Sequence, residues 1–141
     1  MRLTVLGCSG TYPGPDSPCS GYLVEHDGFR LVLDLGPGAL GPLQRAIGLL
    51  DVDAVYVSHL HADHCTDLVG MSYARRYHPD GMPAPLPLYG PTGLRDRLCG
   101  VFEVPPPVHR FSATGDPEPF ARLGRRFLGP QIGTVTTLGA A

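Results

Sequence analysis

Apolar positions along the chain switch between a two-residue rhythm and a three-to-four-residue rhythm, and the switches predict alternating strands and helices. Residues 2–6 read as a short strand closed by Gly7. Residues 9–20, crowded with Gly, Pro and Ser, are too broken for regular structure. Two apolar runs, 21–25 and 29–35, flank His26-Asp27-Gly28, and an Asp-Gly pair in that setting predicts a hairpin. Leu40, Leu43, Ile47 and Leu50 share one helical face, so a helix is expected over 39–50 with Pro42 in its first turn. Residues 52–58 read as the next strand. A helix opening at His64 or Cys65 and running to about Tyr77 places Leu68, Met71, Ser72 and Arg75 on one face. Its acidic start at Asp67 and basic end at Arg75 and Arg76 suit the helix dipole. A proline-rich connection over 79–87, a strand over 86–89 and a short helix over 93–98 follow. This alternation predicts an α/β layered domain. Pro105-Pro106-Pro107 marks a boundary, and the thin apolar pattern beyond it leaves room for one strand near Ile132–Leu138.

Composition adds a few limits. With 141 residues the chain is long enough for one domain with a real core, and 19 Gly with 16 Pro imply many turns between short elements. Every basic residue is Arg and the net charge is −2, so charge alone does not point to nucleic acid. The pair Arg75 and Arg76 is a local exception that would suit a phosphate, although a solvated helix end is the plainer role. Cys8, Cys19, Cys65 and Cys99 lack the CxxC spacing of a structural zinc site and do not form a disulfide framework. No signal-peptide core precedes the first strand and no apolar stretch is long enough to cross a membrane, so a reduced cytoplasmic protein with no membrane partner is expected.

The chemistry concentrates in His59-Leu60-His61-Ala62-Asp63-His64, directly after the apolar run Ala54-Val55-Tyr56-Val57. Neutral imidazole and carboxylate are preferred ligands of zinc and similar divalent ions. Ligands at i, i+2, i+4 and i+5 suit a tight loop at a strand end, where side chains converge from both sides. His59, His61, Asp63 and His64 are therefore the candidate metal ligands. Asp34, at a strand end before Gly36, either orients a ligand histidine or caps a turn. Ser58 reads as a packing or hydrogen-bonding residue, Ser9 and Thr11 as turn residues that would line the site only secondarily, and His26 and His78 as surface histidines.

The HxHxDH pattern resembles the signature of the metallo-β-lactamase fold hydrolases. Residues 3–11 (LTVLGCSGT), Phe29 to Gly38 (FRLVLDLGPG) and Leu86 to Leu94 (LPLYGPTGL) resemble, in order and spacing, blocks of the ribonuclease Z and phosphodiesterase branch. The resemblance covers residues 1–104 and leaves 105–141 as a divergent, unassigned tail. It implies the N-terminal part of an αββα sandwich, truncated. It further implies two metals, zinc foremost with manganese or iron as alternatives, with His59 and His61 on one and Asp63 and His64 on the other. The reaction implied is hydrolysis of a phosphodiester through a metal-bound hydroxide, with Asp63 as general base. A small phosphodiester or nucleotide is the expected substrate; a tRNA 3′-processing endonuclease of the ribonuclease Z kind is the alternative.

The family supplies three further ligands from its C-terminal half. After residue 64 this chain has only His78 and His109, and Thr114-Gly115-Asp116 matches the bridging-Asp segment too briefly to assign. Truncation or a frameshift near residue 105 would produce this pattern. Whether the chain is an enzyme thus stays open, against a catalytically inactive fragment holding one metal weakly. A half-sandwich exposes sheet surface, so homo-oligomer formation is expected.

Overall fold

The computed structural model describes residues 1–81 and 83–100 in full and the backbone of 109–113. Among these residues six strands form one sheet in chain order: β1 (Arg2–Gly7), β2 (Gly21–His26), β3 (Phe29–Leu35), β4 (Ala54–Tyr56), β5 (Leu86–Gly90) and β6 (His109–Ala113). The first three run antiparallel and the rest add in parallel, each parallel step bridged by helix. The hairpin falls where Asp27-Gly28 predicts it: His26 pairs with Phe29, and both turn residues have positive φ (47° and 78°), as a tight two-residue turn requires.

Register divides the sheet into two faces. Leu23, Val32, Val55 and Leu88 lie side by side across the strands and are buried. They pack with Leu43 of α1 (Leu40–Ala46), Leu68 and Met71 of α3 (Asp67–Arg76) and Leu94 and Leu98 of α4 (Leu94–Cys99) in one core. The opposite face carries Val5, Tyr22, Leu33, Tyr56 and Tyr89 in cross-strand register, with Leu3 and Val5 61% and 57% exposed.

Three expectations are corrected. The helix expected over 39–50 stops at Ala46: Ile47 is extended, and the chain resumes as a single 3-10 turn, Leu49–Asp51. Gly48 sits between the two with ψ 142°, outside the helical region, and Leu43 and Leu49 still reach the core from the two separate pieces. The strand expected over 52–58 keeps strand pairing only from Ala54 to Tyr56, although the Val57 N–H still donates to the Tyr89 carbonyl at 2.8 Å. Arg75 does not face solvent. Its side chain is buried on the core face of α3, where it donates to the Leu49 carbonyl (2.7 Å) and the Ala84 carbonyl (3.1 Å), pinning the 3-10 turn to the proline-rich connection. It is unavailable to a phosphate. Arg76 lies over the Tyr77 ring.

β6 adds residues 109–113 of the tail to the sheet. The strand expected near Ile132–Leu138, like Asp116, lies outside the described residues. Among those described, no helix is long and apolar enough to cross a membrane.

Candidate metal centre

The sheet delivers Ser58 and His59 at the C-terminal end of β4, beside the end of β3, where Asp34 sits. Asp34 has φ 56°, a left-handed conformation that Asp tolerates better than most residues. This twist breaks the alternation of β3, so that Leu35 joins the core instead of the open face. It also aims the carboxylate along the strand end. Three groups converge on it: the Ser58 N–H at 2.7 Å, the Ser58 hydroxyl at 2.7 Å and His64 Nδ1 at 2.7 Å. Of the two roles considered for Asp34, orientation of a ligand histidine is the one the geometry supports.

His59 and His61 lie in extended chain, whereas Asp63 and His64 lie on a helix. The expected loop extends only to His61. His61 precedes α2 (Ala62–Cys65), a single turn that passes through Thr66 into α3. The helix thus opens two residues before the expected start. The turn can form there because Gly36 lets it approach: a Cβ on Gly36 would collide with the Asp63 carbonyl oxygen. The Asp34-Leu35-Gly36 segment therefore serves the site twice, through a carboxylate and through the lack of a side chain.

The four candidate ligands are drawn together. The His59 ring lies 3.8 Å from that of His64 and 4.8 Å from that of His61, centre to centre. His64 Nε2 is 3.5 Å from Asp63 Oδ2. The same Asp63 oxygen accepts the Thr11 backbone N–H at 3.0 Å. Thr11 reaches it because its φ of 68° turns the amide inward; its hydroxyl is not the contact. That N–H is the main cause of an Asp63 carboxyl held below its ordinary value, with the His64 and His59 rings adding and partial burial opposing. Asp63 is thus kept in the anionic form a metal needs.

The donor types fit zinc or a related divalent ion, and the Nδ1 bond to Asp34 leaves Nε2 of His64 free to ligate. The number of donors does not complete a cage: among the described residues, no three His, Cys, Asp or Glu side chains are arranged to hold one ion. The shortest ring contact joins His59 and His64. His26, at the end of β2, and His78, after α3, lie apart, each near an aspartate, Asp27 and Asp80 respectively. The four cysteines are free thiols, and burial first, then Asp63 and Asp67, pushes the Cys19 thiol up. The close approach at Gly36 and the backbone role of Thr11 were missed by sequence reasoning. The first had a signal in the Asp-x-Gly spacing; the second had none.

Comparison with known proteins follows the same outline. The family model of the metallo-beta-lactamase superfamily matches residues 14–133. An uncharacterized protein of Mycobacterium tuberculosis is 52% identical over 99 residues, which are 70% of this chain and 36% of that protein. The crystal structure of the metallo-beta-lactamase fold protein YhfI from Bacillus subtilis superposes with a TM-score of 0.66 at 27% identity, covering 79% of this chain and 44% of YhfI. That of human tRNase Z, short form, gives 0.65 at 26% identity, covering 79% and 42%. The chain therefore spans less than half the length of these relatives. A stretch of 34 residues, 24% of the chain, is 88% identical to 13% of the glutamate racemase of Acidothermus cellulolyticus.

Proposed function

Because the chain belongs to the metallo-beta-lactamase superfamily, we propose that it carries the metal-binding half of a metal-dependent hydrolase acting on phosphodiester bonds. The observation that carries this reading is the convergence of His59, His61, Asp63 and His64 at a strand end braced by Asp34. His59 and His61 would hold one divalent ion, and Asp63 and His64 the other, zinc being favoured by the imidazole-rich set. When bound, a metal pair supplies Lewis acidity toward water and toward phosphoryl oxygens. The chain's own contributions are distinct from that. Asp34 holds His64 with Nε2 outward. Thr11 N–H holds Asp63 in its anionic form, and Asp63 would serve both as a ligand and as the general base.

A small phosphodiester or nucleotide is the proposed substrate. The burial of Arg75 removes one of the two cations that would have suited a nucleic-acid backbone, and the net charge is −2. The likeness to tRNase Z favours tRNA as the alternative substrate. Metal per purified chain by plasma mass spectrometry, together with hydrolysis of bis(p-nitrophenyl) phosphate by wild type and by His59→Ala/His61→Ala, tests the reading. Stoichiometric metal and a hydrolysis rate lost in the double variant are expected. Absence of both metal and rate leaves an inactive fragment.

Three further parts belong to this reading. The tail from residue 105 is a divergent segment that follows a domain over 1–104. Removing 114–141 should then leave cooperative unfolding unchanged; a fall in melting temperature beyond about 5 °C, the equivalent of roughly 1 kcal/mol, overturns it. The open sheet face pairs with a second copy of the chain, and a monomer by light scattering at micromolar concentration overturns that. The free thiols support a reducing, cytoplasmic location, which cell fractionation checks.

A further inference from the structure

Ser58 stands between the Asp34 carboxylate and the first histidine of the cluster. Its Oγ is 2.7 Å from Asp34 Oδ2 and 3.0 Å from His59 Nδ1, with His64 Nδ1 at 3.5 Å. A serine hydroxyl has one proton, and a carboxylate offers only lone pairs. The short contact to Asp34 therefore consumes that proton. The remaining lone pairs of Oγ face His59 Nδ1, and that contact is favourable only if Nδ1 carries the hydrogen. Were Nδ1 unprotonated, two lone pairs would oppose each other at hydrogen-bond distance.

We infer that Ser58 is a positioning residue that fixes His59 in the Nδ1–H tautomer, so that the single carboxylate of Asp34 sets the outward-facing Nε2 of one histidine in each ligand pair. His64 is held directly and His59 through the hydroxyl. This rests on the hydrolase reading only for its use; the tautomer is a property of the chain without metal. The arrangement couples the two pairs: a change at Asp34 reaches both histidines, whereas a change at Ser58 reaches only His59. Orienting groups of this kind shift metal affinity by about 10–100-fold when removed.

The test is the tautomeric state of each histidine in the metal-free protein. It is read from imidazole ¹⁵N shifts and long-range ¹⁵N–¹H couplings at about pH 8.5, well above the ordinary imidazole pKa of about 6.5. Wild type should show His59 and His64 both protonated on Nδ1. In Ser58→Ala, His59 should move to the Nε2–H form while His64 stays on Nδ1. Ser58→Thr, which keeps the hydroxyl, should keep the wild-type pattern. Wild-type His59 protonated on Nε2 overturns the inference, as does an unchanged His59 in Ser58→Ala. A shift of both histidines together in Ser58→Ala also overturns it, because it marks general loosening of the loop. If Ser58→Ala does not fold, the wild-type and Ser58→Thr spectra still decide. Because no metal is used, failure of the protein to bind zinc would sink the hydrolase reading and leave this result standing.

Discussion

Replacing Asp34 by Asn isolates the charge at the centre of the strand-end network. Asn matches Asp in shape and tolerates the left-handed φ of 56°, so the backbone contribution cancels. What changes is the acceptor. Oδ2 receives both the Ser58 hydroxyl and His64 Nδ1, each at 2.7 Å, and Oδ1 receives the Ser58 N–H at 2.7 Å. An amide keeps one oxygen and turns an NH₂ toward one of these sets. Hydrogen bonds to charged groups contribute about 1.5–3 kcal/mol each, and a buried donor left without a partner costs a similar amount. Reorientation of the Ser58 hydroxyl and a tautomer change at His64 recover part of this. The expected loss is about 3 kcal/mol. Urea unfolding of the metal-free protein measures it. With a slope of about 2 kcal/mol/M the midpoint should fall by about 1.5 M. A fall below about 0.3 M at unchanged slope would refute the claim that this carboxylate organises the loop.

Gly36→Ala should displace α2, because the new methyl meets the Asp63 backbone; zinc affinity and melting temperature should both fall, and unchanged values would count against the close approach. Arg75→Lys should destabilise the fold by about 2 kcal/mol by chemical denaturation, since one ammonium cannot span the Leu49 and Ala84 carbonyls, whereas Arg76→Ala should cost under about 0.5 kcal/mol. Asp67 accepts the Leu40 N–H at 2.9 Å, yet burial outweighs that bond and raises its carboxyl above the ordinary value of 3.8. A raised acid favours the folded state below its unfolded pKa and loses that contribution as pH rises through the folded pKa. Asp67→Asn should therefore gain stability relative to wild type as pH rises from about 4 toward neutrality, and a difference independent of pH would refute the assignment.

The parts of the fold that were legible in the sequence are those governed by local rules. Asp27-Gly28 marks the hairpin because two consecutive positive φ values admit few residue types. The face Leu68, Met71, Ser72 and Arg75 was correct as a buried stripe, yet the role of Arg75 on it was not legible. A guanidinium at a helix end looks the same in sequence whether it meets water or two distant carbonyls. The helix over 39–50 was overextended because Leu40, Leu43, Ile47 and Leu50 keep helical spacing across a break at Gly48 that spacing alone does not register. The candidate ligands stood out, being imidazoles and a carboxylate crowded after a strand. Their supports did not, because Thr11 acts through its backbone and Gly36 through an absent atom. Such contributions depend on what the chain brings near from 27 or 52 residues away, as Gly36 and Thr11 are from Asp63.

The order of the sheet carries a consequence for how the chain comes to be folded. Among the described residues, each strand after β1 pairs with the one made just before it. Such a sheet can grow by accretion as the chain emerges, with short loop closures and a low entropic barrier at each step. Asp34 is in place before Ser58 and His64 are made, and Thr11 before Asp63. The groups that contact the candidate ligands precede them in the chain, so the cluster is assembled onto partners already made rather than gathered at the end.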